Sequence, residues 1–149
     1  MTKIYNEITI NAPIEKIWEA LSNIELLEKY DPAVENCKTL SSLKNGVGAK
    51  RKVSMKDGKN WFEEVCTVSK QNKSLAYELT ACSFPVQSLK HSYSFEQIGN
   101  SIKVKQLMQY NVKFGFFGKI LDLLMIQKQS DKGIKLFLNG LKSYTENKQ

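Results

Sequence analysis

The sequence has one arginine, one histidine and three cysteines among its 149 residues. Cys37, Cys66 and Cys82 form no CxxC or Cys/His spacing, and a single histidine cannot supply the several imidazoles of a typical metal site. Glycine-rich phosphate loops, dinucleotide fingerprints and nucleophile elbows are also missing. We therefore expect no metal ion and no cofactor, and the common enzyme motifs are excluded.

Long apolar runs are missing as well. The longest, residues 114–126, contains Lys119 and Asp122 and is too short and too charged to span a bilayer. Residues 1–10 alternate between apolar and polar types, unlike the apolar core of a signal peptide. We expect a cytoplasmic protein with free thiols and no stable membrane insertion, either a monomer or a homodimer.

The positive charge comes almost entirely from lysine. The formal net charge is +7 and the sequence pI is about 9.3, but Arg51 is the only arginine. Proteins that read phosphates and bases favour arginine, because its planar fork binds two oxygens at once. We therefore expect no nucleic-acid partner.

Hydrophobic periodicity predicts a strand, two short helices, six further strands and one long helix. Short turns such as Asp57-Gly58 join the strands, which predicts an antiparallel sheet in a single α+β domain over residues 1–149, with the long helix in its concave side. The predicted strands cover residues 3–11, 34–43, 49–55, 60–69, 74–82, 87–98 and 101–114, and the helices cover 12–23, 24–30 and 119–145.

The long helix is predicted to bury one apolar stripe. Gly133 and Gly140 lie inside it, where each costs about 1 kcal/mol relative to alanine, which indicates close packing or a bend. The stripe consists of Ile120, Leu123, Leu124, Gln127, Ile134, Phe137, Leu138, Leu141 and Tyr144.

Four stretches of the chain resemble the START-like superfamily (SRPBCC, Bet v 1-like), particularly its polyketide cyclase/dehydrase and lipid-transport branch. They are residues 8–40, "GVGAKRKV", "EEVCTVSKQNKSLAYEL" and "SYSFEQIGNSIKVKQLMQY". The family opens with an isoleucine, proline, tryptophan and leucine pattern that ends in Trp-Asp-Pro, and here Tyr30 replaces that last tryptophan.

The resemblance implies a helix-grip fold, in which a seven-stranded antiparallel sheet is curled around a C-terminal helix, with two short helices after the first strand. It also implies a hydrophobic cavity between sheet and helix. Members of this superfamily bind lipids, sterols or aromatic polyketides, and a minority catalyse cyclisation or dehydration. Function is therefore not fixed by the fold.

Two strands are candidates for a cavity wall. Leu89, His91, Tyr93 and Phe95 share one face of the strand over residues 87–98, and Tyr77 and Leu79 lie on the strand before it. The same residue types would also make a filled core, so the pattern leaves cavity and core open. His91 could act near neutral pH as a proton donor or acceptor, or be a core histidine with one hydrogen bond.

Glu63 and Glu64 point to opposite faces of their strand. If Phe62, Glu64 and Cys66 face inward, Glu64 is a buried acid that a dry core would tolerate poorly and a hydrated cavity would accept. If the other set faces inward, Glu63 takes that place. A bulge that leaves both acids in solvent is the third alternative.

By the resemblance, Tyr30 lies at the rim of the cavity mouth, and a loop with Phe114, Phe116 and Phe117 leads into the long helix as part of the gate. The long helix is also expected to face the cavity at a few positions. The candidate cavity residues on these elements are Tyr30, Phe114, Phe117, Leu121, Leu124, Met125 and Lys128.

Three functions remain open. The leading one is non-enzymatic binding of a small hydrophobic or amphipathic molecule, such as a lipid, a sterol-like or an aromatic polyketide-like compound. The alternative is a cyclase or dehydratase in which His91 is the general base and Tyr93 or Tyr77 polarises a carbonyl. The third is a membrane-surface or protein-interaction module that uses the Phe114–Phe117 segment and the lysines.

Overall fold

Seven antiparallel strands, two short helices and one long C-terminal helix make up a computed structural model that describes residues 1–147. The order across the sheet is β1-β7-β6-β5-β4-β3-β2, so the first strand pairs with the last and β2 forms the opposite edge. The strands are β1 (Thr2–Ile10), β2 (Val34–Thr39), β3 (Lys50–Met55), β4 (Trp61–Lys70), β5 (Ser74–Cys82), β6 (Val86–Ile98) and β7 (Ser101–Val112). This confirms the predicted α+β helix-grip fold.

Two short helices, α1 (Ile14–Ser22) and α2 (Leu27–Tyr30), follow β1. Pro13 precedes α1 with an extended backbone, and the carbonyl of Pro13 accepts from the amides of Lys16 and Ile17. The helix buries Ile17 and Leu21 against the sheet. The sequence therefore predicted both helices, and α2 begins three residues later than expected.

The C-terminal helix runs from Gly115 to Glu146 in three parts. They are α3 (Gly115–Leu121), a π-helical turn (Asp122–Ile126) and α4 (Gln127–Glu146). The predicted loop before the helix is wrong for Phe116 and Phe117, because both lie in the first turn of α3. Phe114 takes a left-handed backbone (φ 70°) that turns the chain from β7 directly into the helix.

Only the second half of the helix buries the predicted stripe. Ile134, Leu138 and Leu141 are buried in the core against the sheet, whereas Leu123 and Leu124 are 72% and 65% exposed. The π-helical turn accounts for the difference, because its wider turn changes the phase of the side chains that follow. The predicted stripe is therefore wrong before residue 126.

At Gly140 the packing of α4 leaves no room for a side chain. A Cβ at this position would lie 2.0 Å from the backbone oxygen of Tyr30, at the end of α2. The predicted close packing is confirmed here. Gly133, one heptad earlier, has no atom within 4 Å of its would-be Cβ, so the space beside it is empty.

Candidate functional site

An ion pair is buried under the inner face of the sheet. Arg51 on β3 lies directly opposite Glu64 on β4, and Nη2 and Nε of the arginine are 2.5 Å and 2.7 Å from Oε1 of the glutamate. The guanidinium also lies over the ring of Tyr77, 4.5 Å from its centre. Burial is the largest single influence and lowers the pKa of Arg51, but Glu64 together with neighbouring groups such as Tyr77 outweighs it and raises the pKa, so the arginine stays charged.

Two buried oxygens beside this pair have no hydrogen-bond partner within residues 1–147. They are Oε2 of Glu64 and Oε1 of Gln106, on side chains that are 2% and 1% exposed. Gln106 comes from β7, and its amide nitrogen donates to Nδ1 of His91 on β6 over 2.9 Å. Native cores rarely leave two buried acceptors unpaired at one place, which sets this site apart from an ordinary core.

His91 is neutral at pH 7 with its proton on Nε2. Because the amide nitrogen of Gln106 donates to Nδ1, this nitrogen must accept and the ring hydrogen must be on Nε2. Burial, with help from Arg51, lowers the pKa of His91, and Glu64 opposes this only in part. The ring lines a cavity on the inner face of the sheet.

The lowered pKa of His91 gives a pH dependence of stability. In the unfolded chain the imidazole has a pKa of about 6.5, so the unfolded chain takes up a proton before the folded one as the pH falls. We expect the contribution of His91 to be complete above about pH 6.5 and to decrease below it. In urea unfolding from about pH 8 to about pH 5, the wild type should lose more stability than His91→Gln. Parallel curves for the two proteins would contradict this assignment.

Two adjoining cavities lie between the sheet and the C-terminal helix. The first, of about 170 Å³, contains the ion pair, and the second, of about 350 Å³, extends from it toward the turn between β5 and β6. Together they form one hollow, because both are lined by Met55, Phe62, His91, Met108 and Ser130.

The two cavities differ in which polar groups line them. Glu64 and Gln106 line only the first cavity, together with Arg51. The second is mostly apolar, and Asp57, Asn60 and Gln129 lie among its lining, where the β3–β4 turn approaches the helix. Its apolar lining includes Leu79, Phe84, Val86, Leu89, Met108 and Ile126. Both cavities are thus mostly apolar with a few polar groups, which is the usual make-up of a small-molecule site, and the buried ion pair distinguishes the first.

The structure brings five of the sequence-predicted wall and site residues to this hollow, and Leu89, in the lining of the second cavity, is one of them. Glu64, His91 and Tyr93 line the first cavity, and Leu79 and His91 line the second. The register of the sheet brings them together, because Leu79 on β5 is opposite Glu64 on β4. Tyr93 on β6 is likewise opposite Gln106 on β7, which lines the same cavity.

Tyr30 and Tyr77 are buried but line neither cavity. Their hydroxyls donate to backbone oxygens at the end of α1, Tyr30 to Ala20 over 3.2 Å and Tyr77 to Leu21 over 2.8 Å. Both tyrosines therefore fasten α1 to the rest of the core. Burial raises the pKa of each hydroxyl, so both keep their protons.

The remaining predicted residues lie outside the hollow. They are exposed on the start of the C-terminal helix or just before it, and none of them lines the two cavities. These residues are Phe114, Phe117, Leu121, Leu124, Met125 and Lys128.

Sequence reasoning missed Arg51 and Gln106. A signal for Arg51 was present, since Ala49, Arg51 and Val53 alternate on one face of β3 and all three are buried. Gln106 has the same signal, between Val104 and Met108 on β7. In both strands a polar residue inside an apolar alternation marked the site. Within the described part of the chain, no cluster of three or more His, Cys, Asp or Glu side chains could hold a metal ion.

Residues 1–146 match the family described as polyketide cyclase / dehydrase and lipid transport. No curated protein matches the sequence. Among solved structures, the protein TTHA0849 from Thermus thermophilus is similar with a TM-score of 0.80 and 18% identity over 97% of each chain.

Two further solved structures are similar over 97% of each chain. A START superfamily protein from Mycobacterium smegmatis has a TM-score of 0.79 and 15% identity, and Ara h 8.0201 has a TM-score of 0.76 and 18% identity. At these identities the likeness concerns the fold alone.

Proposed function

The chain belongs to the polyketide cyclase / dehydrase and lipid transport family, and from this premise we propose that it binds a small amphipathic molecule in the hollow between sheet and C-terminal helix. The proposal treats residues 1–149 as one START-like domain that acts in the cytoplasm. The three free cysteines support that compartment, because thiols are the usual state of cysteine there.

The observation that carries the proposal is the pair of unpartnered buried acceptors, Glu64 Oε2 and Gln106 Oε1. Each such group costs about 1–3 kcal/mol if it remains unpaired in a dry interior. They line a hollow whose other walls are mostly apolar. A ligand with a hydrogen-bond donor at one end would pair with these oxygens and remove the penalty. If the hollow stayed empty, the penalty would remain.

The chemistry of the polar end follows from these groups. A hydroxyl can donate to Glu64 Oε2 or Gln106 Oε1 and accept from the Nε2–H of His91. A carboxylate would place a second negative charge beside Glu64, whose own charge is already matched by Arg51. The proposed ligand therefore carries a neutral hydroxyl at its inner end.

The apolar part of the ligand would occupy the second cavity. Its lining includes aromatic and flexible side chains such as Phe62, Phe84 and Met108. Burial of apolar surface contributes about 25 cal/mol per Å², so about 200 Å² of ligand surface would supply about 5 kcal/mol. Methionine adapts to different shapes, which favours a class of ligands over a single compound.

A cyclase or dehydratase activity is the second candidate function. The observation that favours it is that neutral His91 and Tyr93 line the same cavity, so a base and a hydroxyl donor would meet one substrate. The two functions differ in outcome, because a carrier releases its ligand unchanged and an enzyme releases a product with a different mass.

Binding is tested by isothermal titration calorimetry with naphthol, methylnaphthalene and naphthoate, and by native mass spectrometry of the protein as purified. We expect naphthol to bind about tenfold or more tightly than methylnaphthalene, because a hydrogen bond to a charged acceptor contributes about 1.5–3 kcal/mol. Naphthoate should bind most weakly. If none of the three binds and the purified protein carries no compound, the proposal is wrong.

Gly133→Leu fills the space that this proposal assigns to the ligand. The would-be Cβ meets nothing within 4 Å and Gly133 lines the first cavity, so the fold should accept the side chain. We expect naphthol affinity to fall about tenfold or more while thermal stability stays equal or rises. Asn139→Leu, at an exposed position of the same helix, is the matched control and should bind as the wild type does. Equal affinity for both variants would place the ligand elsewhere.

A further inference from the structure

The start of the C-terminal helix presents large apolar side chains to solvent. Six of them are more than half exposed, and they follow each other within twelve residues of chain. These six residues, which we term the apolar face, are Phe114, Phe116, Phe117, Leu123, Leu124 and Met125. An apolar patch of this size on a surface marks a site of interaction with another molecule.

The exposed charges within residues 113–128, which carry the apolar face, are all positive. Lys113, Lys119 and Lys128 are exposed, and Asp122 is the only acid between residues 113 and 128. Asp122 is 6% exposed, and its carboxylate accepts from the hydroxyl of Tyr110 and, over 2.6 Å, from that of Thr2. Its charge is thus directed into the protein, and the exposed charge of this segment comes from lysines alone.

The π-helical turn produces this arrangement. Asp122 begins the turn and points inward, whereas Leu123, Leu124 and Met125 within the same turn point outward. Three successive apolar residues would not all face solvent by chance in a helix that buries its stripe again from Ile134 onward. Turns of this kind often occur at functional positions.

We propose that the apolar face docks on the surface of an anionic lipid bilayer. Phenylalanine and leucine side chains would enter the boundary between headgroups and acyl chains, and the three lysines would contact lipid phosphates. Two copies of this chain face to face would bring six lysines together with no exposed acid from residues 113–128 to pair with them. A bilayer offers apolar and anionic groups at one depth, so its chemistry matches the face better.

Docking would also place the hollow beside the bilayer. Ile126, Gln129 and Ser130, which follow the apolar face along the helix, line the second cavity. Within residues 1–147 no helix is long and apolar enough to cross a membrane, so the contact is peripheral. If the proposed ligand binding also holds, the ligand could pass between bilayer and hollow at this point, although docking itself does not depend on it.

The test is co-sedimentation of the full-length protein with vesicles of phosphatidylcholine, with and without phosphatidylserine. We expect binding to the phosphatidylserine vesicles that weakens as sodium chloride is added, because salt screens the lysines. The triple variant Phe116→Ser, Phe117→Ser, Leu124→Ser should have a partition coefficient onto these vesicles that is lower by about tenfold or more. Circular dichroism reports whether each variant is folded.

The matched control removes three exposed apolar side chains elsewhere. Leu40, Leu43 and Val47 lie in or next to the β2–β3 connection and are 44%, 46% and 62% exposed, so their triple serine variant should bind vesicles as the wild type does. Absence of wild-type binding, or equal loss in both triple variants, would overturn the proposal. So would a wild-type dimer that the Phe116, Phe117, Leu124 variant abolishes while neither protein binds vesicles.

Discussion

Arg51→Met is expected to lower the free energy of unfolding by about 3–5 kcal/mol, because it leaves Glu64 charged and buried without a counter-ion. Glu64 already has one oxygen without a partner, and the variant would deprive the other of both its guanidinium contacts. The expected loss is a large part of the total stability of a domain of this size. Urea unfolding at pH 7, followed by circular dichroism, measures it.

The double variant Arg51→Met, Glu64→Leu should recover most of this loss. Replacing a buried ion pair by apolar residues of similar volume is often neutral or stabilising, so the penalty comes from the orphaned charge and not from the missing pair. Lys105→Met is the control, since Lys105 and Glu96 form an exposed pair at 2.7 Å whose loss should change the stability little. A single Arg51 variant as stable as this control would mean that Glu64 is hydrated or protonated.

Two glycines of one helix should respond in opposite directions to the same substitution. Gly140→Ala places a methyl group 2.0 Å from the backbone oxygen of Tyr30, and α2 must move to accept it. We expect a loss of about 3 kcal/mol or more. Gly133→Ala meets only empty space and should gain up to about 1 kcal/mol from its better helix propensity.

Both variants change helix propensity equally, so the difference in their stability reports only the surroundings of the two glycines. Thermal and urea unfolding of the pair give the difference directly. If both variants are stabilised, α2 and α4 do not approach each other as closely as the structure shows at Tyr30 and Gly140. The ring contacts of Tyr30 with Phe137 and Tyr144, at 5.6 Å and 5.7 Å between ring centres, would then be contradicted as well. If both are destabilised, the space beside Gly133 is not free.

The faces of most strands could be predicted from alternation alone. Leu89 and Tyr93 on β6 are buried on one face as expected, because a sheet with one covered side enforces a period of two. Alternation could not decide between Glu63 and Glu64. The pairing of β4 with β5 shifts between these two residues and again between Cys66 and Val68, so the period is interrupted where the site lies.

The polar centre of the site could be predicted only in part. A buried acid was one of the alternatives, but its partner Arg51 lies thirteen residues earlier, and only the register between β3 and β4 brings the two together. The start of the C-terminal helix was mispredicted for a different reason. A regular helical period cannot reveal the π-helical turn, so Leu123 and Leu124 were assigned to the buried stripe.

The pairing of β1 with β7 has a consequence for how the chain reaches this fold. Thr2 is opposite Tyr110 and Ile10 is opposite Ile102. During synthesis β1 therefore stays unpaired until β7 has been made. In contrast, β2, β3 and β4 can pair with each other as soon as they emerge. Contacts so distant in sequence slow folding. During synthesis β1 therefore exposes an unpaired edge with its isoleucines, and this strand is where the nascent chain most needs protection from aggregation.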